Sequence, residues 1–186
     1  MSWGYILLAL VALVLIYGVY VFNTLTRLKN LAAEGWSGID VQLKRRSELV
    51  PNLVEVVKGY ARHESNLFKE IVELRSRSVA GGSVGEQAQT GQAMTSALGR
   101  LIGLVEKYPE LKADANFRKL QEQLAEIEDQ LQYARRYYNG TVRNLNTMTE
   151  QVPSNLIANG FGFGKAEFFE IEDDAERQVP QVKLER

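Results

Sequence analysis

The sequence predicts an all-α fold in which an N-terminal transmembrane helix continues into a bundle of long helices. Three observations predict it. A charge-free apolar run of about 20 residues opens the chain. Apolar residues then recur at three- and four-residue spacing, and no stretch alternates apolar and polar residues as a half-buried strand does. We expect an anchor over residues 1–22, a helical bundle over 23–170 and an acidic tail over 171–186.

Composition excludes several classes of chemistry. The 186 residues include no cysteine and one histidine, and the formal net charge is −1. Without cysteine the chain has no disulfide scaffold, thiolate zinc site, cysteine nucleophile or iron–sulfur cluster. A near-neutral charge is unlike that of a strong nucleic-acid binder. We therefore expect no metal or other cofactor, no nucleic-acid partner and no small-molecule substrate.

The anchor is the first element. Residues 3–22 contain no charged side chain and span roughly 30 Å as a helix, the thickness of the hydrocarbon core of a bilayer. Amphipathic rings prefer the membrane interface, and such rings mark both ends of the run: Trp3, Tyr5, Tyr17, Tyr20 and Phe22. A cleaved signal peptide fits less well, because the run lacks a basic start, is too long and has no small-residue cleavage site after it.

Flanking charge predicts the orientation of the anchor. Only Met1 and Ser2 precede it, whereas Arg27 and Lys29 follow it closely. Basic residues stay on the cytoplasmic side of a membrane. We therefore expect a single-pass protein with its N-terminus outside and its bundle in the cytoplasm.

Helix signals divide the first half of the bundle. The three/four spacing continues without proline to residue 49, so we expect one helix over residues 3–49. Pro51 suits the first turn of a second helix, which the glycine pair at 81–82 ends. Ser83 and Glu86 have the spacing of a capping box and predict the start of a third helix.

Small residues form a stripe along the third helix. Gly91, Thr95, Gly99 and Gly103 recur four apart, and Pro109 breaks the helix after them. Small residues at this spacing make a groove that another helix can approach closely. We interpret the stripe as a packing groove, the alternative being a chance spacing.

The fourth helix has the clearest pattern. Asp114 is a plausible N-cap, and Pro153 stops the helix. Between them apolar residues hold heptad a/d spacing for about five heptads: Phe117, Leu120, Leu124, Ile127, Leu131, Ala134, Tyr138, Thr141, Leu145, Met148 and Val152. This spacing predicts a bundle or coiled-coil seam.

A polar stripe flanks that seam. Arg135, Asn139 and Asn146 fall on one face of the fourth helix. Buried polar groups need partners and fix helix register, and we expect those partners to be Arg46 and Asn52 near the corner of the first two helices. A groove for a partner peptide and a plainly solvated face remain the alternatives.

Two further motifs have bland interpretations. The glycine-rich stretch 160–165 is not a phosphate loop, because Asn159 and Ala166 replace the required glycine and hydroxyl residues. We expect an aromatic turn whose rings fold back on the bundle: Phe161, Phe163, Phe168 and Phe169. The pair His63–Glu64 is expected inside the second helix as a structural or exposed pair, without metal binding or catalysis.

Two ordered blocks of residues point to a family. The first runs Phe22-Asn-Thr-Leu25, then residues 36–46, Leu49-Val-Pro-Asn-Leu53 and on to His63-Glu64. The second runs Ala134-Arg-Arg-Tyr-Tyr-Asn139 to Asn146, then Pro153-Ser-Asn155 and the phenylalanines up to Phe169. Over residues 3–170 the chain resembles the LemA family of bacterial membrane proteins, departing from it at Ser47-Glu48 and Val152.

This resemblance carries expectations about fold and role. It implies one transmembrane helix in the bacterial cell (inner) membrane, an antiparallel four-helix-like bundle and no known enzymatic reaction. Together with the heptad seam and the small-residue stripe, it suggests a non-enzymatic scaffold or adaptor. Such a protein would contact the lipid bilayer, other copies of itself and an unidentified membrane-associated protein. Two alternatives are a large homo-oligomeric assembly that organises or remodels the membrane and a regulatory adaptor of a membrane protease.

Overall fold

The computed structural model describes residues 2–170 as helices joined by short turns. Six α-helices and one 3-10 helix follow in order: α1 Ser2–Tyr60, α2 Ser65–Ala80, α3 Val84–Gly103, the 3-10 helix Leu104–Lys107, α4 Pro109–Ala113, α5 Ala115–Glu150 and α6 Ser154–Gly160. Within this part of the chain no strand occurs. The prediction of an all-α fold is therefore confirmed. The predicted acidic tail, 171–186, lies outside the described residues.

The first helix is longer than the sequence suggests. Pro51 lies inside α1 and does not begin a second helix, so that expectation was wrong. A proline in a helix removes the N–H that would bond to the carbonyl four residues earlier, here that of Ser47. The Nε of Arg75 donates to this carbonyl at 2.8 Å instead. A donor from a neighbouring helix thus replaces the missing one, and α1 continues to Tyr60.

The chain reverses at a corner between α1 and α2. Residues 61–64 form this corner, so His63 and Glu64 lie in a turn and not inside a helix, contrary to expectation. The second reversal, between α2 and α3, is as predicted. Gly81 and Gly82 adopt φ of 77° and 147°, which favour glycine. The Ser83 side chain then accepts from the N–H of Glu86, completing the capping box.

A side-chain cap also begins α5. The Oδ1 of Asp114 accepts the N–H groups of Asn116 and Phe117 at 2.8 and 2.9 Å. Its Oδ2 accepts the hydroxyl of Tyr60 at 3.0 Å. These hydrogen bonds, the one from Phe117 foremost, lower the pKa of Asp114. The N-cap predicted from the sequence is confirmed, and it also joins the end of α1 to the start of α5.

The core is arranged in three clusters along α1. Farthest from the N-terminus, residues of α1, α2, α3 and α5 meet, with the short α4 at one end: among them Leu53, Ile71, Leu98, Leu101 and Phe117. A middle cluster joins α1 to α5 and contains Ile39, Leu131, Tyr138 and Phe169. The third, nearest the N-terminus, contains Val21, Leu25, Leu145 and Ala158. Around the first cluster the chain thus makes an antiparallel four-helix section. Along the other two clusters α1 pairs with α5, and we call this two-helix part the stalk.

The seam of α5 forms much of this core. Phe117 and Leu131 are fully buried and Leu145 nearly so. Val152, placed at the end of the predicted seam, is 80% exposed, because α5 already ends at Glu150. The helix therefore stops two residues earlier than Pro153 implies, and Pro153 becomes the residue before α6.

The N-terminal part of α1 stands apart from the core. It is long and apolar enough to cross a membrane, and almost none of its most apolar stretch is buried in the protein. A helix of a soluble core would be buried instead. Packing with the rest of the chain begins at Gly18, where an added Cβ would lie 3.8 Å from Cδ1 of Ile157 in α6. The bundle thus contacts the last turn of the apolar stretch.

Candidate functional site

In the stalk, α1 and α5 approach each other closely at Gly35. A Cβ at this residue would lie only 3.1 Å from Cα of Tyr138 and 3.2 Å from the ring of Tyr137. Beside the contact, the Trp36 ring packs at 5.7 Å from that of Tyr138 and 6.0 Å from that of Phe169. Glycine permits this approach because it has no side chain. This role of Gly35 in packing was not predicted from the sequence, where the signal for it is a glycine next to a large aromatic residue within a helix.

Two asparagines of α5 hold the segment after α6, residues 161–170, which we call the strap. The Nδ2 of Asn139 donates to the carbonyl of Phe169 at 3.2 Å, and its Oδ1 accepts that residue's N–H at 2.8 Å. Asn146 makes the same pair of bonds with Ala166, at 2.9 and 2.8 Å. Each side-chain amide thus pairs with the N–H and C=O of one strap residue, as the backbone of a neighbouring β-strand would.

The spacing of the two asparagines matches the strap. They lie seven residues apart, a separation of about 10.5 Å along a helix. Ala166 and Phe169 lie three residues apart, which is about 10 Å in extended chain. The heptad repeat of α5 therefore sets the register of the strap.

Glu167 of the strap is bonded to two helices. The hydroxyl of Tyr138 donates to the carbonyl of Glu167 at 2.8 Å, and burial, followed by the charge of Glu167, raises the pKa of Tyr138. The side chain of Glu167 in turn accepts the N–H of Gly85 at 3.1 Å. The strap is thus tied to α5 and to the first turn of α3.

A buried arginine organises the polar interior. Arg46 of α1 is 1% exposed, and its Nη1 donates to Glu128 at 3.0 Å and to the Thr95 hydroxyl at 3.1 Å. That hydroxyl lies 3.1 Å from the other carboxylate oxygen of Glu128. The three side chains join α1, α3 and α5. A buried charge requires such partners.

Arg135 lies beside this group. Its guanidinium stands over the Phe169 ring at 5.0 Å, a cation–π geometry. Burial first, and then the charge of Arg46, lower the pKa of Arg135, against the opposing effect of Glu128. Gly91 makes room, because a Cβ there would lie 3.2 Å from one nitrogen of Arg135 and 3.7 Å from one of Arg46.

The hydrogen-bond partners predicted for the polar stripe of α5 were therefore partly wrong. Arg46 binds Glu128 and Thr95, and the two asparagines bind the backbone of the strap. Asn52 is exposed and lies by a shallow cleft with Gln123 and Glu126. Sequence reasoning missed Glu128, although it precedes Arg135 by one heptad and so shares its face. It also missed Arg75, for which the sequence carries no local signal.

The other predicted residues are spread along the molecule. Trp3, Tyr5, Tyr17 and Tyr20 are exposed on α1, and the Phe22 ring packs at 5.0 Å from that of Phe161 and 5.6 Å from that of Phe163. Between these two rings Gly162 adopts φ of 72°. Asn155 has a buried side-chain oxygen for which residues 2–170 offer no hydrogen-bond partner. Pro153 precedes α6.

The small-residue stripe lies beside an open cleft. Cβ atoms added at Gly99 and Gly103 would meet nothing within 4 Å. The cleft, of about 230 Å³, lies between α3 and α5 and is lined by apolar residues including Leu98, Ile102 and Leu124. At these two glycines no helix from the described part of this chain approaches.

The side chains of this site connect helices to one another and to the strap. In the described range no three His, Asp or Glu side chains cluster as metal ligands would. Arg46 is paired with Glu128, whereas Arg135 contacts the Phe169 ring and its buried Nε and Nη2 have no hydrogen-bond partner among residues 2–170. What the site does is to fix α1, α3, α5 and the strap in one register.

Comparison with known proteins identifies the family. Residues 35–184 match the sequence model of the LemA family. The chain belongs to the LemA family. This match covers α1 from Gly35 onward, the side chains of Arg46, Glu128 and Arg135, and the strap, and it extends into residues 171–184. Together with the apolar N-terminal helix, membership of the LemA family indicates a membrane-associated protein.

Several curated LemA relatives are similar to this chain. Magnetosome protein MamQ 2 of Paramagnetospirillum magneticum is 26% identical over 175 aligned positions, covering 80% of this chain and 64% of the relative. MamQ 1 of the same organism gives the same values. MamQ of Magnetospirillum gryphiswaldense is 25% identical over 159 positions, covering 72% of this chain and 58% of the relative. The chain thus spans less than two thirds of the length of these relatives.

Proposed function

We propose that this LemA-family chain is a non-enzymatic, single-pass protein of the bacterial inner membrane. Its N-terminus is outside, and its cytoplasmic bundle is a scaffold that self-associates and binds membrane-associated proteins. The observation that carries the proposal is the unbroken course of α1 from Ser2 to Tyr60. One helix includes both the apolar stretch and a main element of the bundle, so the position of the bundle is fixed relative to the membrane.

The length of α1 supports a scaffold. Its 59 residues extend about 90 Å, of which roughly 57 Å lie beyond Phe22. The stalk pairs this part with α5, and pairing resists bending of a long helix. A partner bound at the far end would be held at a fixed height above the bilayer. Fixed spacing is what a scaffold provides and what an isolated flexible anchor does not.

The open cleft beside Gly99 supports self-association. Its walls are mostly apolar, although Thr95, Gln121 and Glu128 also line it. No atom of residues 2–170 lies within 4 Å of a Cβ added at Gly99, which leaves space for a second helix. Native mass measurement of the full chain in mild detergent should give a protein mass of at least twice the 21.0 kDa of one chain. A monomer at every concentration would contradict self-association.

Disulfide crosslinking can locate that contact. The chain has no native cysteine, so Gly99→Cys introduces a single thiol at a position with free space. Gly59→Cys is the matched control, because Gly59 lies on an exposed part of α1 where an added Cβ also meets no described atom within 4 Å. Oxidation in native membranes should give a covalent dimer of the Gly99→Cys variant and much less of the control. Equal yields would place the contact elsewhere.

Binding of partner proteins needs a separate test. Crosslinking followed by mass spectrometry in native membranes should recover peptides of another membrane-associated protein joined to the bundle. If only crosslinks between copies of this chain were recovered, binding of partner proteins would be contradicted and self-association would be retained.

A second candidate function is the organisation of membrane by a large homo-oligomer. The same rigid continuity of α1 favours it, because docked bundles would hold their spans at set spacing and angle. Cryo-electron microscopy of the protein in membranes should reveal regular arrays or altered curvature. A featureless distribution would rule this candidate out.

A further inference from the structure

An apolar corner lies beside the candidate membrane span. Between α5 and α6, within α6 and directly after it, three large apolar side chains are exposed: Val152 by 80%, Leu156 by 68% and Phe161 by 66%. The opposite side of α6 packs on α1. An added Cβ at Gly18 would lie 3.8 Å from Ile157, and Ala158 is fully buried.

We propose that this corner, residues 152–161, is a second membrane contact. It lies in the interfacial layer of the bilayer next to α1 and buries Val152, Leu156 and Phe161 at the boundary between headgroups and acyl chains. The inference rests on the proposed function, because it needs the N-terminal part of α1 to span the membrane.

The depth of the corner fits this placement. Gly18 and Phe22, which contact α6 and the following turn, are the last turn of the predicted span and lie about 6 Å apart along the helix. Elements that lie in the interface bury their apolar face about 5–10 Å into the headgroup and acyl boundary. The apolar side chains of the corner are therefore at the level at which lipid can cover them.

Basic side chains follow just beyond this level. Arg27 and Lys29 follow on α1, and Lys165 follows on the strap, paired with Glu150. Lys29 and Lys165 also line an open cleft of about 370 Å³ together with Trp36. Basic groups within a turn or two of the interface are attracted to anionic headgroups. An apolar rim followed by basic side chains complements the layers of a bilayer in order.

The absence of native cysteine allows a direct test with the full chain in liposomes. Leu156→Cys and Phe161→Cys, each labelled with an environment-sensitive fluorophore, report on the corner. Val79→Cys, at a residue of α2 that is 66% exposed and apolar, is the matched control, and Leu10→Cys, in the span, is the lipid reference. The liposomes contain phosphatidylcholine and phosphatidylglycerol, with or without brominated acyl chains.

The expected result is a shift of emission to the blue at both corner positions relative to position 79. Brominated lipid should quench the corner labels, and aqueous iodide should quench them less than the label at 79. Iodide quenching equal to that of the control would overturn the proposal. Protection from both quenchers would also overturn it, since protein, such as a second copy, would then cover the corner.

The same data separate this inference from the proposed function. Lipid quenching at position 10 with an aqueous signal at 156 and 161 would leave the anchor in place and remove the second contact. An aqueous signal at position 10 would remove the anchor, and the second contact with it.

Discussion

Adding a single methyl group at Gly35 should loosen the stalk. In Gly35→Ala the new Cβ would meet Cα of Tyr138 at 3.1 Å and the ring of Tyr137 at 3.2 Å. A backbone atom cannot swing aside as a side chain can, so α1 and α5 must separate by a few tenths of an ångström. Overpacking of this kind costs about 1–3 kcal/mol.

A matched variant removes the effect of helix propensity. Replacing glycine by alanine inside a helix gains about 0.8–1.0 kcal/mol by itself. Gly99→Ala receives the same gain, and its Cβ meets no atom of the described residues within 4 Å. The difference between the two variants therefore isolates the contact at Gly35. We expect Gly35→Ala to be less stable than Gly99→Ala by about 1–3 kcal/mol.

Urea unfolding of the full chain in mild detergent can measure this difference. Trp36 packs against Tyr138 beside Gly35 and reports on the stalk, and Trp3→Phe in all variants removes the other of the 2 tryptophans. With a slope of about 1–3 kcal/mol per molar urea, 2 kcal/mol separates the midpoints by about 1 M. Equal midpoints, or a higher one for Gly35→Ala, would refute the close approach of α1 and α5.

Three further predictions concern partners that side chains supply. Arg75→Met should destabilise by about 1–2 kcal/mol by orphaning the Ser47 carbonyl. In a Pro51→Ala background the N–H of residue 51 can bond to the Ser47 carbonyl, so Arg75→Met should lower the free energy of unfolding by less, as measured by urea unfolding. An equal loss in both backgrounds would contradict the view that Arg75 replaces the missing N–H of Pro51. Asn146→Ala removes both bonds to the strap. It should cost about 1–3 kcal/mol and speed proteolysis of the strap, and unchanged proteolysis would oppose its role. The pKa of Asp114 is lowered in the folded chain from its ordinary 3.8. Its contribution is present above about pH 4 and is lost as pH falls through the folded pKa. The free energy of unfolding of Asp114→Asn should therefore fall less than that of the unmodified protein as the pH is lowered. An equal fall in both proteins would argue against this cap.

Features that depend on neighbouring residues were predictable. The apolar N-terminal helix, the capping box at Ser83, the N-cap at Asp114 and the seam of α5 each follow from residues a few positions apart, because periodicity and capping are local. The same holds for the family resemblance, which rests on residue order. Features that depend on distant partners were not predictable. Asn139 bonds a residue 30 positions away, and Arg46 bonds one 82 positions away.

The sequence by itself determined that this protein has an apolar helix long enough to span a bilayer and a helical body with a heptad seam. Only the tertiary structure decided that Pro51 lies within α1, that the asparagines pair with backbone, and that α6 lies beside the apolar part of α1. The physical reason is the same in each case. A helix can keep a proline, a buried charge or an amide only if another part of the chain supplies the missing partner. That partner is chosen by packing.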